Sequence, residues 1–230
     1  MTAQRDEKKL TREAESKGVS GWVHPILSFP WNPIVLVEGS TDIKALTHAA
    51  SIVGLGHIKF FNVPSLDHSE EGAGKDAIIF YLKRNAGLAQ NRPAEAPLLV
   101  LFDWETSDQE IKKAKAAYGL NADKYVTRMN PAYCDAKLGE DFKGIERFYP
   151  SAIIESAHKA EELIVGMVDG KPFSVSKSQL DMVKGKLLSR VVREKTPKKL
   201  EPLLRVLLDL ERAIRGNGPI QLTLFDAKTK

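Results

Sequence analysis

Short apolar runs alternate with amphipathic segments along the chain before residue 150. The apolar runs of strand length are residues 34–37, 58–63, 97–102 and 124–127. Apolar residues recur at helical spacing in residues 43–53, 77–82 and 107–118. Strands that alternate with helices in this way predict an α/β fold with a parallel, three-layer sheet. The run at 34–37 contains no polar residue, so we expect this strand in the middle of the sheet, buried on both faces.

The periodicity changes after residue 150. Residues 178–194 are predicted as a basic amphipathic helix, and Thr196-Pro197 begins a helix with a wide leucine stripe at 200–210. We expect that stripe to lie in the hydrophobic core, or to form the interface of a dimer or with a partner. Residues 162–168 and 173–175, joined through Asp169-Gly170, are a hairpin, or the first of them ends a helix. The apolar patch at 220–225 has no predicted place.

These patterns divide the chain into three parts. Residues 1–32 form an N-terminal arm and lead-in, residues 33–150 the α/β domain, and residues 151–230 a mainly helical C-terminal extension. No apolar run is long enough to span a bilayer, and the N-terminus has no apolar signal core, so we expect a cytoplasmic protein without a membrane role. The single cysteine, Cys134, and five scattered histidines disfavour a zinc hydrolase.

Carboxylates stand where two of the predicted strands end. Glu38 and Asp42 follow the first run, and Asp103 and Glu105 follow the third, with side chains at i and i+2 pointing the same way. If these strands are neighbours, four carboxylates crowd one crevice, where they need cations. Hard oxygen ligands select Mg²⁺ or Mn²⁺, one ion or two. Taken alone, Glu38 to Asp42 is also an ordinary turn with a helix cap.

Positive charge is concentrated in one segment of the chain. Residues 171–199 hold nine basic and two acidic residues, a net charge of +7, which leaves the remainder at −3 of a total of +4. A basic face near an acidic site suits a protein that handles nucleic acid, although a solvated helix face has the same composition. The candidate phosphate contacts are Lys75, Lys177, Lys184, Arg190 and Arg193. The loop around Lys75 lacks the spacing of a P-loop.

The strand-end motifs together resemble a TOPRIM domain. The resemblance rests on Val37-Glu38-Gly39-x-x-Asp42, a glycine-containing middle and an apolar strand ending in Asp103-x-Glu105. TOPRIM is the catalytic fold of topoisomerases, bacterial primases, small ribosomal RNA maturases and the OLD (overcoming lysogenization defect) nucleases. Residues 144–150 resemble the OLD segment that supplies a further metal carboxylate, here Glu146. The segment at 184–188 resembles the one carrying that family's catalytic lysine, here Lys186 or, as the alternative, Lys184.

The resemblance implies a metal-dependent nuclease. Glu38, Asp103 and Lys186 would be catalytic, and Glu38, Asp42, Asp103, Glu105 and Glu146 would hold the metal. The family usually has Asp-x-Asp, so Glu105 is a departure that affects the position of a second ion. The chain lacks room for the extra domains of a topoisomerase or primase. OLD proteins carry an ATPase that is not found here, so we expect a chain that acts alone or with a separate ATPase subunit, as in two-gene anti-phage systems.

Other functions remain open from the sequence. The substrate is DNA or RNA. A small TOPRIM RNA maturase and a non-catalytic TOPRIM-like subunit that binds nucleic acid or an ATPase are the alternatives, and a homodimer through the leucine stripe is compatible with each.

Overall fold

A computed structural model describes residues 25–67, 72–166 and 172–216. It contains a four-stranded parallel sheet with the order β2-β1-β3-β4. The strands are β1 (Ile34–Leu36), β2 (Lys59–Phe61), β3 (Leu98–Phe102) and β4 (Val126–Arg128). In the register, Val35 lies between Phe60 and Leu99. The predicted α/β class and the interior position of β1 are therefore confirmed.

Helices fill the connections between the strands and form the C-terminal part of the described chain. They are α1 (Pro25–Ser28), α2 (Ser40–Ile52), α3 (Val63–Asp67), α4 (Lys75–Gln90), α5 (Asp108–Tyr118), α6 (Ala122–Tyr125), α7 (Ser151–Lys159), α8 (Lys177–Val191) and α9 (Glu201–Arg215). Three 3₁₀ turns are Pro131–Tyr133, Gly144–Phe148 and Pro197–Leu200. Because the chain passes from β1 to β2 and then back across β1 to β3, the strand order reverses between β1 and β3, which is where α/β folds bind ligands.

The described chain divides into two compact units. The first contains the residues up to Gly39, His57–Leu101 and Ser107–Thr127; the second contains Ser40–Gly56, Phe102–Thr106 and the residues from Arg128 onward. The predicted boundary at residue 150 does not separate these two units, since residues 128–150 and 151–216 both belong to the second unit.

Buried polar contacts hold the first unit together around its strands. The Tyr118 hydroxyl donates to the Leu98 carbonyl over 2.7 Å. The half-buried Arg92 guanidinium donates to four backbone carbonyls, among them those of Ile26 and Asn32. Helix α5 begins with a capping box in which Ser107 and Glu110 satisfy each other's backbone N–H groups. These contacts fix the lead-in and α5 against the sheet.

Helix α2 is central to the second unit, where it contacts α8 and α9. The predicted leucine stripe lies on α9 and the preceding 3₁₀ turn, and Leu200, Leu203, Leu204, Leu207 and Leu210 are all buried there, while Leu208 is half-buried. The stripe is therefore core. Four apolar residues of α8 (Leu180, Val183, Leu187 and Val191) are also buried, which confirms the amphipathic helix predicted there.

The predicted hairpin after residue 160 is reduced to one antiparallel bridge between Gly166 and Ser174. Its predicted turn at Asp169-Gly170, the N-terminal arm and the apolar patch at 220–225 lie outside the described residues. Within the described ranges, no helix has the length and apolar character required to cross a membrane.

Candidate active site

Three acidic side chains from distant parts of the sequence gather in the second unit. Asp42 lies in the first turn of α2, Asp103 follows β3, and Glu146 belongs to the 3₁₀ turn Gly144–Phe148. Only 5% of Asp42 and 2% of Glu146 is exposed, and Asp103 is half-buried. Carboxylates are seldom this buried unless a positive charge compensates them. We call Asp42, Asp103 and Glu146 the acidic cluster.

Gly144 allows two of these carboxylates to approach each other. Its φ angle of +67° favours glycine, and a Cβ added there would lie 2.9 Å from Glu146 Oε2 and 3.5 Å from Asp103 Oδ2. Both oxygens therefore border the same small volume. Any larger residue at position 144 would displace Glu146.

Glu146 is poorly accommodated as an anion. Burial raises its pKa to about 7, Lys184 opposes the rise, and Asp42 and Asp181 add to it. Among the described residues, its Oε1 atom is buried without a hydrogen-bond partner. A nearby cation would remove this penalty by favouring the ionised form.

Lys184 on α8 supplies part of that positive charge. Its Nζ lies 4.0 Å from Glu146 Oε2 and 3.2 Å from Asp181 Oδ1. Partial burial acts to lower the pKa of Lys184, but Glu146, Asp181 and Asp103 outweigh it, so the pKa is raised and the ammonium keeps its charge. Lys186, the first choice from the sequence, is exposed. Residues two apart on a helix do not share a face, so the structure brings Lys184 rather than Lys186 to the acidic cluster.

Tyr149 is close enough to the acidic cluster for the charges of the cluster to affect it, and it was not predicted from the sequence. Burial, followed by the charges of Glu146, Asp42 and Asp103, raises its pKa, so the phenol stays protonated. Its ring is fully buried, and its hydroxyl has no hydrogen-bond partner among the described residues. In the sequence, Phe148-Tyr149 has only the character of core, so no signal distinguished it.

Glu105 makes a different contact from the one predicted. Its carboxylate is exposed and accepts a hydrogen bond from the backbone N–H of Gly144, at 3.0 and 3.2 Å from the two oxygens. Between it and Asp103, the Trp104 ring is contacted by the cations of Arg147 (4.2 Å) and Lys143 (4.7 Å). Glu105 therefore holds the loop that carries Glu146, and its role as a metal ligand stays a prediction.

Glu38 and Lys75 lie in the first unit. The Glu38 carbonyl, one residue beyond Val37, accepts the backbone N–H of Gly74. Lys75 Nζ pairs with Glu110 at 2.7 Å, and this hydrogen bond is the main cause of the raised pKa of Lys75. A phosphate would have to compete with Glu110 for this lysine. The predicted convergence of Glu38 with the acidic cluster stays a prediction.

The remaining basic candidates differ in their availability. Arg190 is held by Glu162, with Nε and Nη2 at 3.0 and 2.8 Å from Oε2, and it also donates to Ser156. Lys177 and Arg193 are exposed on α8 and just beyond it. These two side chains are the better candidates for phosphate contacts.

The donor chemistry of the acidic cluster fits a divalent ion that prefers oxygen ligands. It offers carboxylate oxygens in a buried volume. One of them, Glu146 Oε1, has no hydrogen-bond partner among the described residues, and the ionisation of this glutamate is unfavourable without added positive charge. In the part of the chain that the structure describes, however, no three acidic, histidine or cysteine side chains are already arranged as a coordination sphere. Binding would require side-chain rotation.

Comparisons with protein-family models, with curated proteins and with solved structures each found no match to this chain.

Proposed function

We propose that this protein is a divalent-metal-dependent phosphodiesterase that hydrolyses nucleic acid, with its site at the acidic cluster. The observation that carries the proposal is Glu146, a carboxylate with 2% exposure beside two further acids and 4.0 Å from Lys184. A buried carboxylate lowers the stability of the folded protein, and carboxylates of this kind are concentrated at functional sites. The TOPRIM resemblance of the same residues, and the reversal of strand order at β1 and β3, support the proposal.

Asp42, Asp103 and Glu146 would hold the ion, Mg²⁺ or Mn²⁺. Glu38 would join them, as the sequence predicts, and Glu105 would join only by giving up its contact with Gly144. A bound divalent ion supplies an activated water and stabilises charge on the attacked phosphate. The burial of Asp42 and Glu146 would limit competing water and strengthen these electrostatic effects.

Lys184 would act on the substrate phosphate. Its retained charge places a donor near the carboxylates, where it would neutralise the non-bridging phosphate oxygens as charge develops in the transition state. Lys177 and Arg193 would attract the nucleic-acid backbone without taking part in the chemistry. A separate ATPase partner and a homodimer remain predictions from the sequence.

Incubation with a panel of labelled single-stranded and duplex DNA and RNA tests the proposal. With Mg²⁺ or Mn²⁺ the protein should cleave at least one member, and EDTA should stop it. Asp103→Ala and Glu38→Ala should abolish cleavage. The matched control is Glu155→Ala. Glu155 lies on α7 and forms an exposed ion pair with Lys137, and this variant should cleave normally. Undiminished cleavage by either active-site variant would refute the assignment.

A non-catalytic binding subunit is the second candidate. It is favoured by the engagement of Glu105 with Gly144 and by the lack, in the described ranges, of a preset group of three ligands. This alternative predicts no Mn²⁺ binding and no cleavage of any substrate, but salt-dependent binding of nucleic acid.

A further inference from the structure

The Tyr149 hydroxyl is a buried donor with no acceptor among the described residues, and the charges of the acidic cluster act on it. Other tyrosines of the chain satisfy this group: Tyr118 donates to the Leu98 carbonyl at 2.7 Å and Tyr133 to Asp209 at 2.6 Å. A buried hydroxyl without a partner destabilises the fold, and phenylalanine would fill the same volume without that cost. An unsatisfied group in a folded protein therefore requires an explanation, such as a partner that is acquired when a ligand binds.

The backbone places Tyr149 and Glu146 on the same side of their turn. The Tyr149 backbone N–H donates to the Glu146 carbonyl at 3.2 Å at the end of the 3₁₀ turn. Residues three apart in such a turn eclipse each other, so the two side chains project in a similar direction. Glu146 is also the first of the charges that act on the Tyr149 hydroxyl. Its Oε1 atom, like that hydroxyl, is buried and unsatisfied among the described residues.

We propose that Tyr149 is a positioning residue for the cation site, whose hydroxyl donates a hydrogen bond to the Glu146 carboxylate when a divalent cation occupies the acidic cluster. This inference rests on the proposed function, because it requires the acidic cluster to bind a cation. One oxygen of Glu146 would then face the cation and the other the phenol. The hydrogen bond would fix the carboxylate orientation and satisfy both buried groups at once. Partners of this kind, behind a metal ligand, typically contribute 10- to 100-fold to metal affinity.

The test compares Tyr149→Phe with Tyr118→Phe, a matched control in which the lost hydroxyl has an acceptor. Thermal unfolding is measured in EDTA, and Mn²⁺ affinity by calorimetry or electron paramagnetic resonance. Tyr149→Phe should unfold at an unchanged or higher temperature, yet bind Mn²⁺ about 10- to 100-fold more weakly. Tyr118→Phe should unfold roughly 2 to 8 °C lower and bind Mn²⁺ with unchanged affinity. A residue that only supports packing would not give greater stability together with weaker metal binding.

The outcomes separate this inference from the proposed function. If the unaltered protein binds Mn²⁺ and Tyr149→Phe binds it equally well, the positioning role is refuted while the cation site stands. If Tyr149→Phe loses stability as Tyr118→Phe does, the hydroxyl is already satisfied without metal, and the inference is again refuted. If the unaltered protein does not bind Mn²⁺, the cation site itself is refuted, and the role of Tyr149 with it.

Discussion

Replacing Glu146 by glutamine should stabilise the metal-free protein, and only at high pH. The pKa of Glu146 is raised from an ordinary 4.5 to about 7 in the folded state. Between pH 4.5 and about pH 7, the Glu146 carboxyl group is ionised in the unfolded state but protonated in the folded state. The free energy of unfolding therefore falls as pH rises through this range. One unit of pKa is equivalent to about 1.36 kcal/mol, so the loss between pH 5 and pH 8.5 is about 2.5 kcal/mol. Glutamine has nearly the same shape and cannot ionise, so the variant lacks this loss.

Urea unfolding in EDTA at several pH values between 5 and 8.5 measures the effect. The variant and the unaltered protein should be close in stability at pH 5, and the variant should be more stable by about 2.5 kcal/mol at pH 8.5. Glu155→Gln, at an exposed ion pair, should show no such trend. A stability difference that stays constant across this pH range would show that Glu146 ionises normally, and the reasoning about a destabilised carboxylate would be wrong.

Three further predictions concern the two lysines, the basic surface and a helix cap. Lys184→Met should lower the single-turnover cleavage rate by about 10²- to 10³-fold, and Lys186→Met should leave it unchanged. If only Lys186→Met lowers the rate, Lys186 is the catalytic lysine. Changing Lys177 and Arg193 to glutamine should weaken nucleic-acid binding and reduce the slope of log affinity against log salt by about 0.9 per lost duplex contact, or about 0.7 for a single strand. An unchanged slope would make this face a solvated surface. Ser107→Ala should lower the free energy of unfolding by about 0.5 to 2 kcal/mol in urea titrations, because the capping box at α5 is lost, and no change there would contradict that assignment.

The strands were predictable because their sequence pattern is local. Residues 34–37 and 97–102 are apolar throughout, and a run of that kind must be buried whatever surrounds it. The signal for the start of α5 is equally local, since Ser107 and Glu110 have the spacing of a capping box. The sequence does not encode burial of polar groups so directly. The contact between Glu105 and the Gly144 backbone joins loops 39 residues apart, and no pattern in either loop indicates it.

The two lysines of α8 differ in their position relative to its buried residues. The apolar residues of α8 at 180, 183, 187 and 191 define its buried stripe. Lys184 stands four residues after Leu180 and three before Leu187, so it has two neighbours in that stripe, whereas Lys186 has only Val183 at such a spacing. Helical phase alone therefore favours Lys184. Tyr149 had no comparable signal, because a core tyrosine with a partner and one without have the same sequence pattern.

Calorimetric titration with Mn²⁺ tests the central claim, a cation site at the acidic cluster, most directly. We expect saturable binding that tightens between pH 6 and pH 8, because below about pH 7 Glu146 must release a proton to bind the ion. Asp103→Asn should weaken binding by at least about tenfold, and Glu155→Gln should leave it unchanged. An absence of binding heat at every pH, or full affinity in Asp103→Asn, would show that the acidic cluster is not a cation site.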